Sequence, residues 1–322
     1  PSTGCRVART AFLWFAAGNF PIWCVLLLRQ VGVTGLQQWL GLAGSALLLL
    51  GLTQWLRRVE RSYAWPLHSF AQIYTAAGLI ICAPPTARLI VENLTGRFTL
   101  PSGTPDASAL ILQSALGVVF YAGSAWVFRN YFLTHVAAWL SILPYTLAWM
   151  VHGPTLDPAQ FARVWMGWAG LLLGLGLLLD RRRARHAHER YAHGPYFVGY
   201  FLGSFALLWS AQDLLTSLYT LAAAIALAAT SQLLVHAGLH RSFDDFVRFV
   251  WRAPGTVAES VTRDVFLFFA VYGFPVWLML LLGYHQVPLA WRGVVLALFA
   301  PLFIACGLAA RRIRSTYSWP FY

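Results

Sequence analysis

The side chains that could hold a metal or move protons are few: nine histidines and eleven carboxylates in 322 residues. Three of those histidines, His186, His188 and His193, crowd around Glu189 in the run RRRARHAHERYAHGP. A zinc protease needs HExxH, which sets two imidazoles on one helical face. Here the spacing is HExxxH, and the second imidazole lies roughly 140° round the helix from the first. The run therefore reads as a solvated basic turn that attracts anionic lipid. His236 and His240 stand four apart, the spacing of one helical face, and His68 and His135 are expected near the same membrane level. Neutral imidazoles so placed suit a haem iron or a chlorin magnesium. The plainer reading is histidines tolerated near helix ends, and no cofactor is required. Cys5, Cys24, Cys82 and Cys306 are scattered, with no CxxC pair to suggest a disulfide framework or a zinc site. The soluble catalytic patterns GxSxG, the Walker loop and strand–GxGxxG are missing too.

A second kind of chemistry recurs along the chain, an arginine followed closely by aromatic residues. It occurs as Arg58 with Tyr63 and Trp65, as Arg190-Tyr191, and again at Tyr317 and Trp319. Arginine pairs with lipid phosphate, Tyr and Trp settle at headgroup depth, and a proline such as Pro66 suits a first helical turn. These seven residues are the candidates for a lipid-headgroup site. The same grammar also serves simple anchoring of helix ends.

The elements that carry these residues are membrane spans. Hydrophobic residues make up 59% and charged residues only 11%, against roughly a quarter in soluble proteins. The mean hydropathy is +0.62. The apolar blocks are about twenty residues long, enough to cross a hydrocarbon core of roughly 30 Å. We place ten spans at 10–30, 35–57, 66–84, 107–128, 131–151, 160–180, 195–213, 216–238, 264–283 and 288–310. In lipid every backbone amide must bond internally, so these blocks are helices and the fold class is all-α, polytopic. If the spans alternate, 18 of the 23 arginines fall on one face and 5 on the other. By the positive-inside rule the rich face, which includes the N-terminus, is cytoplasmic. The net charge of +12 thus reflects topology rather than a nucleic-acid partner. All basic residues are Arg and none is Lys, as a GC-rich coding sequence would give, which points to a bacterial inner membrane.

The strongest pattern is self-similarity. Residues 7–66 align without a gap on 261–320, an offset of 254, with 22 identities in 60. Phe20-Pro21 falls on Phe274-Pro275, Trp23 on Trp277, and Arg57-Arg58 on Arg311-Arg312. Junction aromatics at 63, 131, 191, 243 and 317 extend the pattern to hairpin repeats of about 7–66, 67–131, 132–195, 196–260 and 261–322. The whole is expected to be one membrane domain and, because the last residues open another span, a fragment of a longer chain. Residues 241–252 set Phe243, Phe246 and Val247 against Arg241, Asp245 and Arg248, the pattern of an interfacial amphipathic helix. Residues 85–106 form a long connection on the Arg-poor side.

No charge is expected deep in a span, which weighs against an ion-driven pump. The leading expectation is a non-enzymatic scaffold or accessory subunit that contacts other membrane protein subunits and anionic lipids at the Arg-rich face. The alternative is a transporter or flippase for a lipid-like substrate. A further alternative is an electron-transfer or light-harvesting subunit using the histidines.

Overall fold

The computed structural model describes residues 3–58, 61–95, 105–183, 190–250, 262–313 and 321, and every regular element among them is helical. Nine of the helices are long and apolar enough to cross a membrane, as expected of a multi-pass membrane protein. The chain forms two compact units, Pro1–Pro158 and Ala159–Tyr322.

The first unit holds α1 (Thr3–Gln30), a 3-10 turn at Gly35–Trp39, α2 (Leu40–Leu56), α3 (Arg61–Leu94), α4 (Pro105–Phe128) and α5 (Phe132–His152). Its closest neighbours are α2 with α3 and α4 with α5, helices joined at the arginine-bearing turns. Ala46, Leu49, Leu50, Ala71 and Phe120 interlock α2, α3 and α4, and Ala17 brings α1 into the same core. Tyr74 on α3 ties α1 down by reaching the Ala17 and Gly18 carbonyls at 2.9 and 3.0 Å. Buried hydroxyls bond their own helix: Thr53 to the Leu49 carbonyl and Thr75 to Ala71. That is the local way to satisfy a polar group where no water is at hand.

One expected boundary differs. The third span was placed at 66–84, yet α3 runs 34 residues, straight through Pro84 and Pro85. Burial of Thr86 and Leu89 and an Arg88–Glu92 ion pair at 2.7 Å hold the turns after the prolines. At 1.5 Å per residue α3 is about 50 Å long, so it extends well beyond a roughly 30 Å hydrocarbon core. Much of the expected outer connection is therefore helix, and its residues 96–104 lie outside the described ones.

The second unit holds α6 (Phe161–Arg183), α7 (His193–Ser210), α8 (Leu214–His236), α9 (Arg241–Val250), α10 (Val265–Tyr284) and α11 (Leu289–Ile313). Here α6 pairs with α7 and α8 with α10. The seventh expected span, 195–213, is helix α7 but is not among the nine apolar enough to span. His193, Pro195, Tyr196, Tyr200, Gly199 and Gly203 dilute its apolar content. Small residues let α6 and α7 approach closely. A Cβ on Gly176 would stand 2.8 Å from the ring of Tyr196, which is only 5% exposed. Gly176→Ala should therefore cost about 1–3 kcal/mol by overpacking, read as a lower midpoint of thermal unfolding in detergent. Near the start of α6, Arg163 reaches α8 and donates to Thr216 Oγ1 at 2.9 Å. Asp213 caps α8 by accepting from the Thr216 amide at 2.8 Å. Helices α1, α10 and α11 bury little: 11%, 11% and 6% of their apolar stretches.

Candidate functional site

The first site arises where α2 and α4 end side by side. Gln54, Arg57 and Arg58 from α2 and its C-terminal turn meet Trp126, Val127 and Arg129 from the end of α4. Together they line a pocket of about 490 Å³. Arg57 donates to the Val127 carbonyl, one of the last carbonyls of α4, and its guanidinium lies 5.5 Å over the Phe128 ring. That holds Arg57 upright and leaves the rest of its donors for the pocket. Arg58, Arg129 and Trp126 are exposed. No acidic residue lines the pocket among the described residues, and Glu60 lies outside them. Three guanidiniums with an indole beside them suit a phosphate or other oxyanion carried at headgroup depth.

Arg129 occupies this place at a conformational cost. Its φ is +52°, the left-handed region that closes α4, and the Asn130 amide returns to the Ala125 carbonyl at 3.1 Å. Glycine is the usual residue in that position. Arg129→Gly should leave stability unchanged or raise it by about 1 kcal/mol, because a side chain is strained there. It should at the same time weaken anionic-lipid binding, so paired unfolding and binding measurements separate the two roles.

The second site is buried in the second unit, at the Arg-rich ends of α6, α7 and α8. Asp180, near the end of α6, is 1% exposed and accepts from the Ser242 amide at 3.1 Å and the Ser242 hydroxyl at 2.7 Å. A carboxylate at the start of α9 also meets the positive end of that helix. His240, equally buried, stacks on Tyr196 with ring centres 4.0 Å apart and sits 3.9 Å from Asp180. Its Nδ1 accepts from the Phe243 amide at 3.4 Å, which leaves Nε2 to donate to the Tyr200 hydroxyl at 2.9 Å. Tyr200 in turn donates to Ser231 at 3.0 Å. Burial holds the His240 imidazole neutral, its pKa lowered to about 4, and nearby His193 adds to the fall. Close by, Gln232 donates to buried Asp264 at 3.3 Å and accepts from the Leu267 amide at the start of α10.

Several expectations change here. No buried charge was expected, yet Asp180 and Asp264 are each 1% exposed. Both stand at helix ends, where serine, glutamine and backbone donors replace water. His236 and His240 do not share a helical face. Helix α8 stops at His236, Gly238 turns the chain with φ +65°, and the Leu239 amide closes on the Leu234 carbonyl at 2.8 Å. His236 is exposed and His240 buried. His68 and His135 belong to the first unit; His68 packs 3.9 Å from Phe128 and pairs with Gln72 at 2.9 Å. Among the described residues no three His, Cys, Asp or Glu side chains gather to hold a metal.

Of the headgroup candidates, Arg58 lines the pocket, while Trp65 and Arg190 are exposed and Tyr191 is half-buried. The side chain of Tyr63, and Tyr317 and Trp319, lie outside the described residues, as do His186, His188 and Glu189. Helix α9 runs from Arg241 to Val250, with Val247 fully buried and Phe243 4.8 Å from Phe266; residues 251 and 252 of the expected helix lie outside the described ones. In the sequence Arg57 stands out only through the repeat that sets Arg57-Arg58 on Arg311-Arg312, and it lies far from Arg129 along the chain. Asp180, Tyr200 and Ser242 carried no signal beyond being polar in an apolar chain. Comparison of the chain with family models, curated proteins and solved structures finds no match.

Proposed function

We propose that this is a membrane protein that binds the phosphate-bearing headgroup of an anionic lipid and handles a lipid-like substrate, as a transporter or flippase would. The observation that carries the reading is the pocket of Arg57, Arg58 and Arg129, three cations held together with no acidic partner among the described residues. In this reading the Arg-rich side faces the cytoplasm of a bacterial inner membrane, where the arginines attract anionic headgroups. The direct repeat at 254 residues supports a pair of related hairpins, α1–α2 and α10–α11, each with an internal proline at Pro21 or Pro275.

The test is binding of phosphatidylglycerol against phosphatidylcholine to the purified chain, by native mass spectrometry. Preference for the anionic lipid that vanishes when Arg57, Arg58 and Arg129 become Gln supports the reading. Equal binding of both lipids, or no effect of the substitutions, sinks it.

A second reading, a scaffold or accessory subunit, is favoured by α11, of which only 6% of the apolar stretch is buried. Such a face suits another membrane protein subunit. Fixed partner proteins co-purifying from native membranes, and lost with polar substitutions along α11, would favour it over lipid handling. The electron-transfer or light-harvesting reading, with His68, His135, His236 and His240 around a haem or chlorin, needs visible absorbance in the purified protein.

A further inference from the structure

Helices α7 and α10 splay apart on the side of the second unit, over a floor made by α8. The cleft between them encloses about 250 Å³. Gly199 and Gly203 line one wall and Phe266 and Phe269 the other, while Ala224 and Ala228 form the floor. Ser204 and Phe269 are exposed, so the cleft opens sideways on the unit's surface. Its floor and one wall belong to α8 and α10, both long and apolar enough to span. From Gly199 to Leu207 the wall is eight residues of helix, about 12 Å. A groove that opens sideways between helices long and apolar enough to span faces the hydrocarbon of the bilayer, and an extended acyl chain matches its length.

The end of the cleft nearest the start of α7 is marked by a tyrosine. Tyr200 lines it, and the Tyr200 hydroxyl is held by His240 at 2.9 Å and Ser231 at 3.0 Å. Tyr200 lies two helical turns from the Arg-rich end of α7, so a chain in the cleft would have its headgroup on that side. We infer that the cleft holds one acyl chain of a phospholipid from the leaflet on the Arg-rich side, with its polar end toward Tyr200. This acyl site uses none of the arginines of the first unit and stands or falls separately from the headgroup pocket.

The full chain in phosphatidylcholine nanodiscs containing a phospholipid with a mid-chain diazirine tests this directly. Irradiation and peptide mass spectrometry should place label on residues 203–207 and 265–269 several-fold above the exposed α11 residues Leu298 and Leu302. Ser204→Trp, which adds bulk at an exposed position of the cleft lining, should cut that label at least tenfold and leave the α11 label unchanged. If Ser204→Trp disturbs the α11 label too, Ala228→Leu, which raises the floor, decides the matter by the same ratio. Cleft label no higher than α11 label, label unmoved by both substitutions, or cleft peptides cross-linked to a second copy would each overturn the inference. The Arg57→Gln, Arg58→Gln, Arg129→Gln variant should leave cleft label unchanged, so failure of the headgroup reading is seen apart from failure of this one.

Discussion

Replacing Arg57, Arg58 and Arg129 together by Gln should weaken binding of phosphatidylglycerol about 100-fold. Each arginine near an anionic surface contributes about 1 kcal/mol, and three lost cations make about 3 kcal/mol, or about two decades of affinity. The sum holds only if all three face one ligand, which is what the shared pocket provides. Phosphatidylcholine binding should change little, because its headgroup has no net charge to lose. Salt offers an independent check: at 1 M the screening length is about 3 Å, and the wild-type preference should shrink toward that of the variant. Arg57 is the member to treat with care, since it also bonds the Val127 carbonyl and covers Phe128. Arg58→Gln and Arg129→Gln together, made without it, should still cost about 30-fold. A loss below threefold for the triple variant would reduce these residues to helix anchors.

Acidification should release α9 from the second unit. His240 is neutral in the fold, with its pKa lowered from 6.5 to about 4 by burial. A released, solvated His240 titrates near 6.5, so between these two values the released state binds the extra proton. The docked state is therefore fully stabilised above about pH 6.5, loses stability as pH falls, and reaches its floor near pH 4. The span corresponds to about 3 kcal/mol. Asp180, 3.9 Å from the ring, opposes the effect by attracting an imidazolium, while His193 on α7 reinforces it. Asp244 on α9 works in the other direction: burial raises its carboxyl pKa, so protonating it in acid favours docking. Desolvation of the imidazole is the larger influence. Hydrogen exchange at the 241–248 amides should quicken as pH falls from 7 to 4.5, after correction for the intrinsic rate. His240→Phe should flatten that dependence, since a phenyl ring keeps the stack on Tyr196 and cannot be protonated. Protection that does not change with pH in the wild type would show that His240 leaves the acid balance of α9 untouched. Asp180→Ala should destabilise docking at every pH, because the Ser242 amide and hydroxyl would lose their buried acceptor.

The membrane class was legible in the sequence because it depends on one-dimensional quantities. Block length against bilayer thickness and the spread of 23 arginines are properties of the chain before it folds. Boundaries were less so. Pro84 and Pro85 mark a stop locally, and only burial of Thr86 and Leu89 carries α3 past them. Gly238 gave the opposite failure: a single left-handed residue ended α8 and took His240 off the face shared with His236.

Both sites required the third dimension. Arg57 and Arg129 are far apart along the chain, and nothing in either segment says that α2 and α4 end together. Their packing, through Leu50 and Phe120, is what collects the charge. Asp180 precedes a run of arginines in the sequence, and in the fold it is the buried acceptor for a helix that begins beyond α8. A carboxylate survives there because donors from Ser242 replace water, and those donors arrive only when α9 docks. The sequence by itself determined the membrane class, because block length and hydropathy are set before the chain folds. The tertiary structure alone decided which polar groups meet inside it, since hydrogen bonds and guanidinium clusters depend on distances that helix packing sets.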